Sequence, residues 1–356
     1  MEPTISNSNA ILANKIMPIL PLGNIVLSPF SIYNNLFTLL LGSKGDTKTC
    51  IQEFSNMPSN ISEFIQLFNN LNNLSDISLS VKNKIVINTD FTLNNYFVNQ
   101  VKGFASISST KFDTKLIIDV NNWIDKITNG LIKSIIDESI INNKMLIINV
   151  IYFKGIWKYP FDVKNTKPRN FYIESLKILK PTMLITNTFF EYCYSSEINA
   201  RILKMKYSNT DFEMVFILPN SSVLDTENKM STINLNNLNF KYIKFNEVTI
   251  PKFKIESKHN LEILNNIGLN IFSPNSDFRN FTTEENNLFI DKFIQKAVII
   301  VDEKGTEAAA ATCFTCGFGA PEEEYSFICN KSFLFQLTYK KDLILFNGRV
   351  IDPTNN

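Results

Sequence analysis

The chain is expected to fold as an α+β protein. Three features carry that expectation: helix signals gather before residue 130, β-branched and aromatic runs dominate the rest of the chain, and the two do not alternate as in a wound α/β sheet. The composition can supply the core, since 44% of residues are hydrophobic, 19% are charged and 30 are Phe. A disordered, collagen-like or disulfide-stapled chain is thereby excluded. No Pro/Gly/Ser linker, charge block or fixed-period repeat divides the sequence, so residues 1–356 are read as one domain.

Taken in order, Ser28-Pro29 followed by Ile32, Leu36, Leu39 and Leu40 predicts a helix with a Ser cap, Pro in the first turn and Gly42 as its stop. The stretch 69–75 is Asn-rich and reads as a loop. A strand is expected over 79–87, and a second helix over 116–128, with Val120, Ile124 and Ile127 on one side and Asn129-Gly130 after it. The run 145–153 is nearly all apolar, as in a strand covered on both faces. Further strands are expected over 213–218 and 298–301. A second loop, 317–324, combines Gly, Pro and the acids Glu322, Glu323 and Glu324.

Several function classes fall away at this stage. Lys+Arg and Asp+Glu number 35 and 34, a net charge of +1, which gives no case for nucleic acid or anionic lipid as partner. A single His, His259, excludes the two-His zinc motifs and leaves one candidate base for a Ser or Cys nucleophile. It is placed on a surface turn. Trp123 and Trp157 read as core anchors. The five cysteines, Cys50, Cys193, Cys313, Cys316 and Cys329, are odd in number and scattered, so free thiols in a reducing compartment are expected. Cys313-x-x-Cys316 lacks the context of a redox or metal site, although reversible oxidation there would block any strand movement. The first residues do not resemble a cleaved signal, and no run of 18 apolar residues predicts a spanning helix.

One segment departs from core logic. Glu303, Lys304, Gly305, Thr306, Glu307, Ala308, Ala309, Ala310, Ala311 and Thr312 follow a predicted strand, and from Thr306 onward they are small except for Glu307. At period two, Thr306, Ala308, Ala310 and Thr312 fall on one side, with the only charge on the other. Such a segment can stand in solvent as a helical turn or linker, or slide between two existing strands.

Here the sequence resembles the serpin family over nearly its whole length. The matching stretches begin with Asn24 to Ile32 (NIVLSPFSI), then Gly42 and Thr47, then Asn122-Trp123 and Thr128-Asn129-Gly130-Leu131-Ile132. They continue with Asn149 to Trp157 (NVIYFKGIW), Phe161, Thr166, Ile217-Leu218-Pro219 and Pro251-Lys252-Phe253-Lys254. Gly268 with Phe272, the hinge Glu303-Lys304-Gly305-Thr306 and the tail Leu345 to Val350 with Pro353 complete the series. Their order and spacing are specific where each alone is weak.

The resemblance implies a serpin fold: a large mixed central sheet, further sheets, about eight or nine helices and an exposed reactive loop near 303–327. It implies a suicide-type protease inhibitor and not an enzyme, acting as a monomer without cofactor or metal, whose cut loop inserts into the central sheet. The hinge would be Glu303 to Thr312, and the region where the sheet opens would include Ser28, Ser31, Asn149 and Trp157. Gln295 stands where the family usually keeps a His, and Lys331-Ser332 where it keeps His-Pro. Within the family, residues 306–313 and a short loop resemble the intracellular poxvirus serpins of the cytokine response modifier type. That resemblance implies a role in host defence or cell death inside an infected cell's cytoplasm, with secretion through an uncleaved signal as the alternative. The scissile bond is assigned to Phe318-Gly319, with Gly319-Ala320 as the alternative. An aromatic residue at that bond suits a chymotrypsin-like or cathepsin G-like host serine protease. The competing expectations are a non-inhibitory serpin acting as a binding or chaperone-like module, and a cross-class inhibitor of cysteine proteases.

Overall fold

The computed structural model describes residues 4–58, 61–72, 78–283, 288–305 and 324–353. Six of the seven α-helices among them end by residue 127, and eleven of the fourteen strands begin at Met145 or later, the distribution that predicted α+β. With the seven-residue 3-10 segment Leu261–Ile267, eight helical elements of seven residues or more are present among the described residues. The chain forms two compact units, each assembled from three separate stretches.

The first unit comprises 1–16, 27–153 and 256–298. Its sheet runs in the order Phe253–Asn260, Lys292–Val301, Met145–Lys154, Ser78–Ile87, Ser106–Ser109. Lys292–Val301 and Met145–Lys154 pair in parallel, from Lys292 opposite Leu146 to Val298 opposite Tyr152. The first nine residues of Met145–Lys154 are buried, as a strand covered on both faces requires.

The helix Pro29–Gly42 is capped as predicted, Ser28 Oγ accepting the Ser31 N–H at 3.2 Å. Gly42, expected to stop the helix through backbone freedom, is instead its last helical residue. A Cβ there would fall 1.9 Å from the Phe281 ring, so close packing explains the glycine. The loop read over 69–75 is also revised: the helix Ile61–Asn72 runs through Asn69 and Asn70. Phe64, Phe68 and Leu71 recur on one buried face, and their burial outweighs the weak helix propensity of Asn. Residues 73–75 lie outside the described residues, as do 317–323.

Two further expectations are corrected in this unit. The strand predicted over 298–301 starts at Lys292, six residues earlier, because its polar positions are satisfied internally: Lys296 pairs with Glu256 at 2.6 Å and donates to the Ser134 carbonyl. His259 is buried in the strand Phe253–Asn260, not on a surface turn. Trp123 is only half-buried, with Lys84 Nζ 5.3 Å from its ring centroid, so it anchors no core.

The second unit comprises 17–26, 154–255 and 299–356. Nine strands are described in its mixed sheet: Ile25–Leu27, Leu343–Val350, Phe333–Tyr339, Phe212–Pro219, Ala200–Lys206, Leu176–Ser195, Lys241–Pro251 and Tyr325–Ile328, with Lys167–Ile173 beside Leu176–Ser195. Arg349 is almost wholly buried here. It pairs with Glu227 at 2.6 Å and donates to the carbonyls of Pro21 and Gly23, so its charge is neutralised where it is desolvated.

Candidate functional site

In the second unit, the strand that ends at Val301 passes into a turn. The Asp302 carbonyl accepts the Gly305 N–H at 3.2 Å, and Asp302 Oδ1 accepts the Lys304 N–H at 3.0 Å. Gly305 has φ 93°, and a Cβ on it would stand 2.5 Å from the Gly155 oxygen and the Trp157 nitrogen, so no larger residue fits. The Trp157 N–H donates to the Lys304 carbonyl at 3.1 Å and the Phe161 N–H to that of Glu303 at 2.8 Å. Trp157 Nε1 donates to the Asp302 carbonyl at 2.9 Å, and its ring stacks on Tyr207 with centroids 4.3 Å apart. Burial pushes the Tyr207 phenol well above its usual range, and the Asp302 charge adds to the effect.

Glu303 is 5% exposed. Its carboxylate accepts from Thr166 Oγ1 at 2.8 Å and meets Lys252 Nζ at 2.8 Å. Burial raises its pKa, and the hydrogen bonds from Lys252, the backbone and Thr166 outweigh that effect, leaving the group below its usual value.

A second polar cluster lies in the first unit, beneath the paired strands. Gln295 and Asn149 are register partners, and Gln295 Nε2 donates to Asn149 Oδ1 at 2.7 Å. The same carboxamide clamps the backbone of one residue: its Oε1 accepts the Ser28 N–H at 2.9 Å and its Nε2 donates to the Ser28 carbonyl at 3.0 Å. Asn149 Nδ2 donates to Ser31 Oγ and, at 2.5 Å, to Asn83 Oδ1, which also accepts from Asn35 Nδ2 at 2.8 Å. All these side chains are buried. The cluster is built of neutral amides and hydroxyls, so it can form and break without moving a proton.

Of the residues singled out from the sequence, Ser28, Ser31, Asn149 and Gln295 thus come together. Trp157, grouped with them in advance, belongs to the second unit and bonds to Asp302 and to the hinge residue Lys304. Glu303, Lys304 and Gly305 are placed as above. Thr306, Glu307, Ala308, Ala309, Ala310, Ala311, Thr312, Cys313, Cys316, Phe318, Gly319 and Ala320 lie outside the described residues. Lys331 is half-buried, and burial, followed by the Arg201 charge, lowers its pKa. Ser332 Oγ donates to the Ile351 carbonyl at 3.2 Å.

Sequence reasoning assigned no role to Asn83, Asn35, Thr166 or Lys252. Asn83 sits between Lys82 and Lys84 in the strand Ser78–Ile87, where a surface position and a buried amide look alike. Thr166 and Lys252 stood in recognisable motifs, but their meeting at Glu303 depends on the fold.

Known proteins share this architecture. A family model described as Serpin (serine protease inhibitor) matches residues 10–353. The mouse protein alpha-1-antitrypsin 1-5 is 31% identical, the alignment covering 93% of this chain and 84% of that protein. The crystal structure of mouse protein-Z dependent protease inhibitor superposes with a TM-score of 0.85 at 25% identity, over 98% of this chain and 97% of the other. Human thyroxine-binding globulin complexed with thyroxine gives 0.84 at 26% identity, over 98% of each chain.

Proposed function

Because the chain belongs to the serpin family, we propose that it is a suicide-type protease inhibitor, cleaved in the loop that comes after Gly305 and trapping its protease as an acyl-enzyme. The observation that carries this reading is the direct pairing of Lys292–Val301 with Met145–Lys154. These neighbours can part to admit one more strand, and the amides that link them, Gln295 and Asn149, carry no charge to strand when they separate. Thr306 and Ala308 to Thr312, apart from Glu307 small and uncharged, suit passage between them. The 13 residues 306–318, fully extended, reach about 40 Å at about 3.3 Å per residue, enough to carry a tethered protease along a sheet.

The finer assignments belong to the same proposal. The scissile bond is Phe318-Gly319, the target a chymotrypsin-like, cathepsin G-like host serine protease, and the protein a monomer without cofactor. Residues 1–356 act as a single serpin domain, since one family model spans 10–353 and neither unit is a continuous stretch of chain. The poxvirus placement, with a cytoplasmic role in host defence or cell death, rests on residues 306–313 alone; the relatives reported above are mammalian. A second reading, a non-inhibitory binding module, draws on the similarity to thyroxine-binding globulin.

Incubation with a protease panel and subsequent denaturing gels separate the two. The inhibitor reading expects a stable complex with chymotrypsin or cathepsin G, and a released C-terminal fragment that begins at Gly319. Phe318→Ala should slow association at least about tenfold, since an apolar side chain buried in a pocket contributes roughly 1.5–3 kcal/mol. Cleavage without complex formation by every protease supports the binding module. A fragment beginning at Ala320 moves the bond and removes the aromatic preference.

A further inference from the structure

We infer that the start of the hinge, Asp302 to Gly305, is already turned before any protease arrives, and that Asp302 is the positioning residue that keeps it so. This rests on the inhibitory reading for its consequence, but its geometry is independent of that reading. Asp302 and Gly305 form an antiparallel bridge across Glu303 and Lys304, so the chain has reversed direction by Gly305. Glu303 and Lys304 keep negative φ, while Gly305 takes φ 93°. This is the combination of a type I turn and a left-handed glycine that matches the twist of a β-hairpin. The sequence suits it: Asp at the first position and Gly at the fourth are the residues such turns favour.

The turn is over-determined. Asp302 alone takes three hydrogen bonds, from the Gly305 N–H and Trp157 Nε1 on its carbonyl and from the Lys304 N–H on its carboxylate. The Glu303 side chain is held by Thr166 and Lys252, and the carbonyls of Glu303 and Lys304 by the backbone of Phe161 and Trp157. Gly305 is pressed against the backbone of Gly155 and Trp157, the chain that continues from the strand Met145–Lys154. Strand addition therefore starts from a preformed corner. A loop that had to find this reversal after cleavage would lose conformational entropy at the slow step, and here that loss has already been taken on folding. Because insertion competes with hydrolysis of the acyl-enzyme, a preformed turn biases the outcome toward trapping.

The test uses the full chain, uncut, by hydrogen exchange. The Lys304 and Gly305 amides are expected to be protected, as their bonds to Asp302 require. Next, the loop is nicked with a protease that cuts it without forming a stable complex and is then removed, and insertion is tracked by the fluorescence of Trp157 in a Trp123→Phe background. Asp302→Ala should slow insertion by up to about tenfold, the range of one hydrogen bond. Asp302→Asn retains an acceptor oxygen and should insert at the parental rate. Unprotected amides, an unchanged rate in Asp302→Ala, or a faster one that would make the turn a restraint, each overturn the inference. A parent chain that traps no protease, yet shows protected amides and the same slowing after nicking, overturns the inhibitory reading and leaves the preformed turn standing.

Discussion

Glu303 shows how much rests on one carboxylate. It is buried, it binds Lys252 and Thr166, and its own carbonyl holds Phe161, so side chain and backbone fix the same residue from two sides. A carboxylate whose folded pKa lies below its unfolded value adds stability above the unfolded pKa, and that stability is lost as pH falls through the folded one. Glu303→Gln should therefore lower stability at pH 7 by about 1–3 kcal/mol, the worth of a hydrogen bond to a charged group. The gap should begin to shrink as pH falls below the ordinary glutamate value of about 4.3 and close only once pH passes below the lowered folded pKa, where the parent is protonated too. Denaturant midpoints of both proteins across that range give the answer, and a gap that stays constant to pH 3 would show the charge to be idle. Glu303 was legible in the sequence as part of the hinge motif; its partners were not, since Thr166 and Lys252 lie 137 and 51 positions away. Gln295 was legible as a departure from the family pattern, but its clamp on the Ser28 backbone was not, because only the folded register brings position 295 to position 28.

Elements were read best where local chemistry and burial agree. The Ser28 cap and Pro29 fixed the start of Pro29–Gly42, and the all-apolar run announced Met145–Lys154. They were misread where burial overrode local composition: Asn69 and Asn70 joined a helix because Phe64, Phe68 and Leu71 needed its face, and the strand began at Lys292 once Gln295 and Lys296 found partners. Gly42 illustrates a third case, in which the residue was recognised and the reason was not. Phe281, packed at a T-shaped angle against Phe97, occupies the space a side chain on Gly42 would need. Gly42→Ala should accordingly destabilise by about 1–3 kcal/mol through overpacking, despite the better helix propensity of alanine. Combining it with Phe281→Leu should recover part of the loss, measurable as a double-mutant cycle in urea. A stabilising Gly42→Ala would mean that helix propensity, not the ring, decides this position.

At the scale of the molecule, the division into two units was invisible in the sequence, because each unit is assembled from three separated stretches and no linker marks the joins. What the sequence did carry was the uncommitted segment: residues 306–318 form no part of the predicted strands, and most of them are small enough to become one. If they insert between Lys292–Val301 and Met145–Lys154, roughly ten ladder hydrogen bonds at about 0.5–1.5 kcal/mol each give on the order of 10 kcal/mol. With an unfolding entropy of about 2.1 cal/mol/K per residue over 356 residues, that corresponds to a rise in melting temperature of roughly 10–15 °C. Nicking the chain between 317 and 320 should thus make it more stable, the opposite of what a broken loop does in an ordinary domain, where a cut relaxes a constraint and leaves the core unchanged. The comparison needs only calorimetry of intact and nicked protein under one buffer and scan rate. Coincident transitions would mean that the cut loop stays out of the sheet, which would leave the fold in place and remove the mechanism proposed for it.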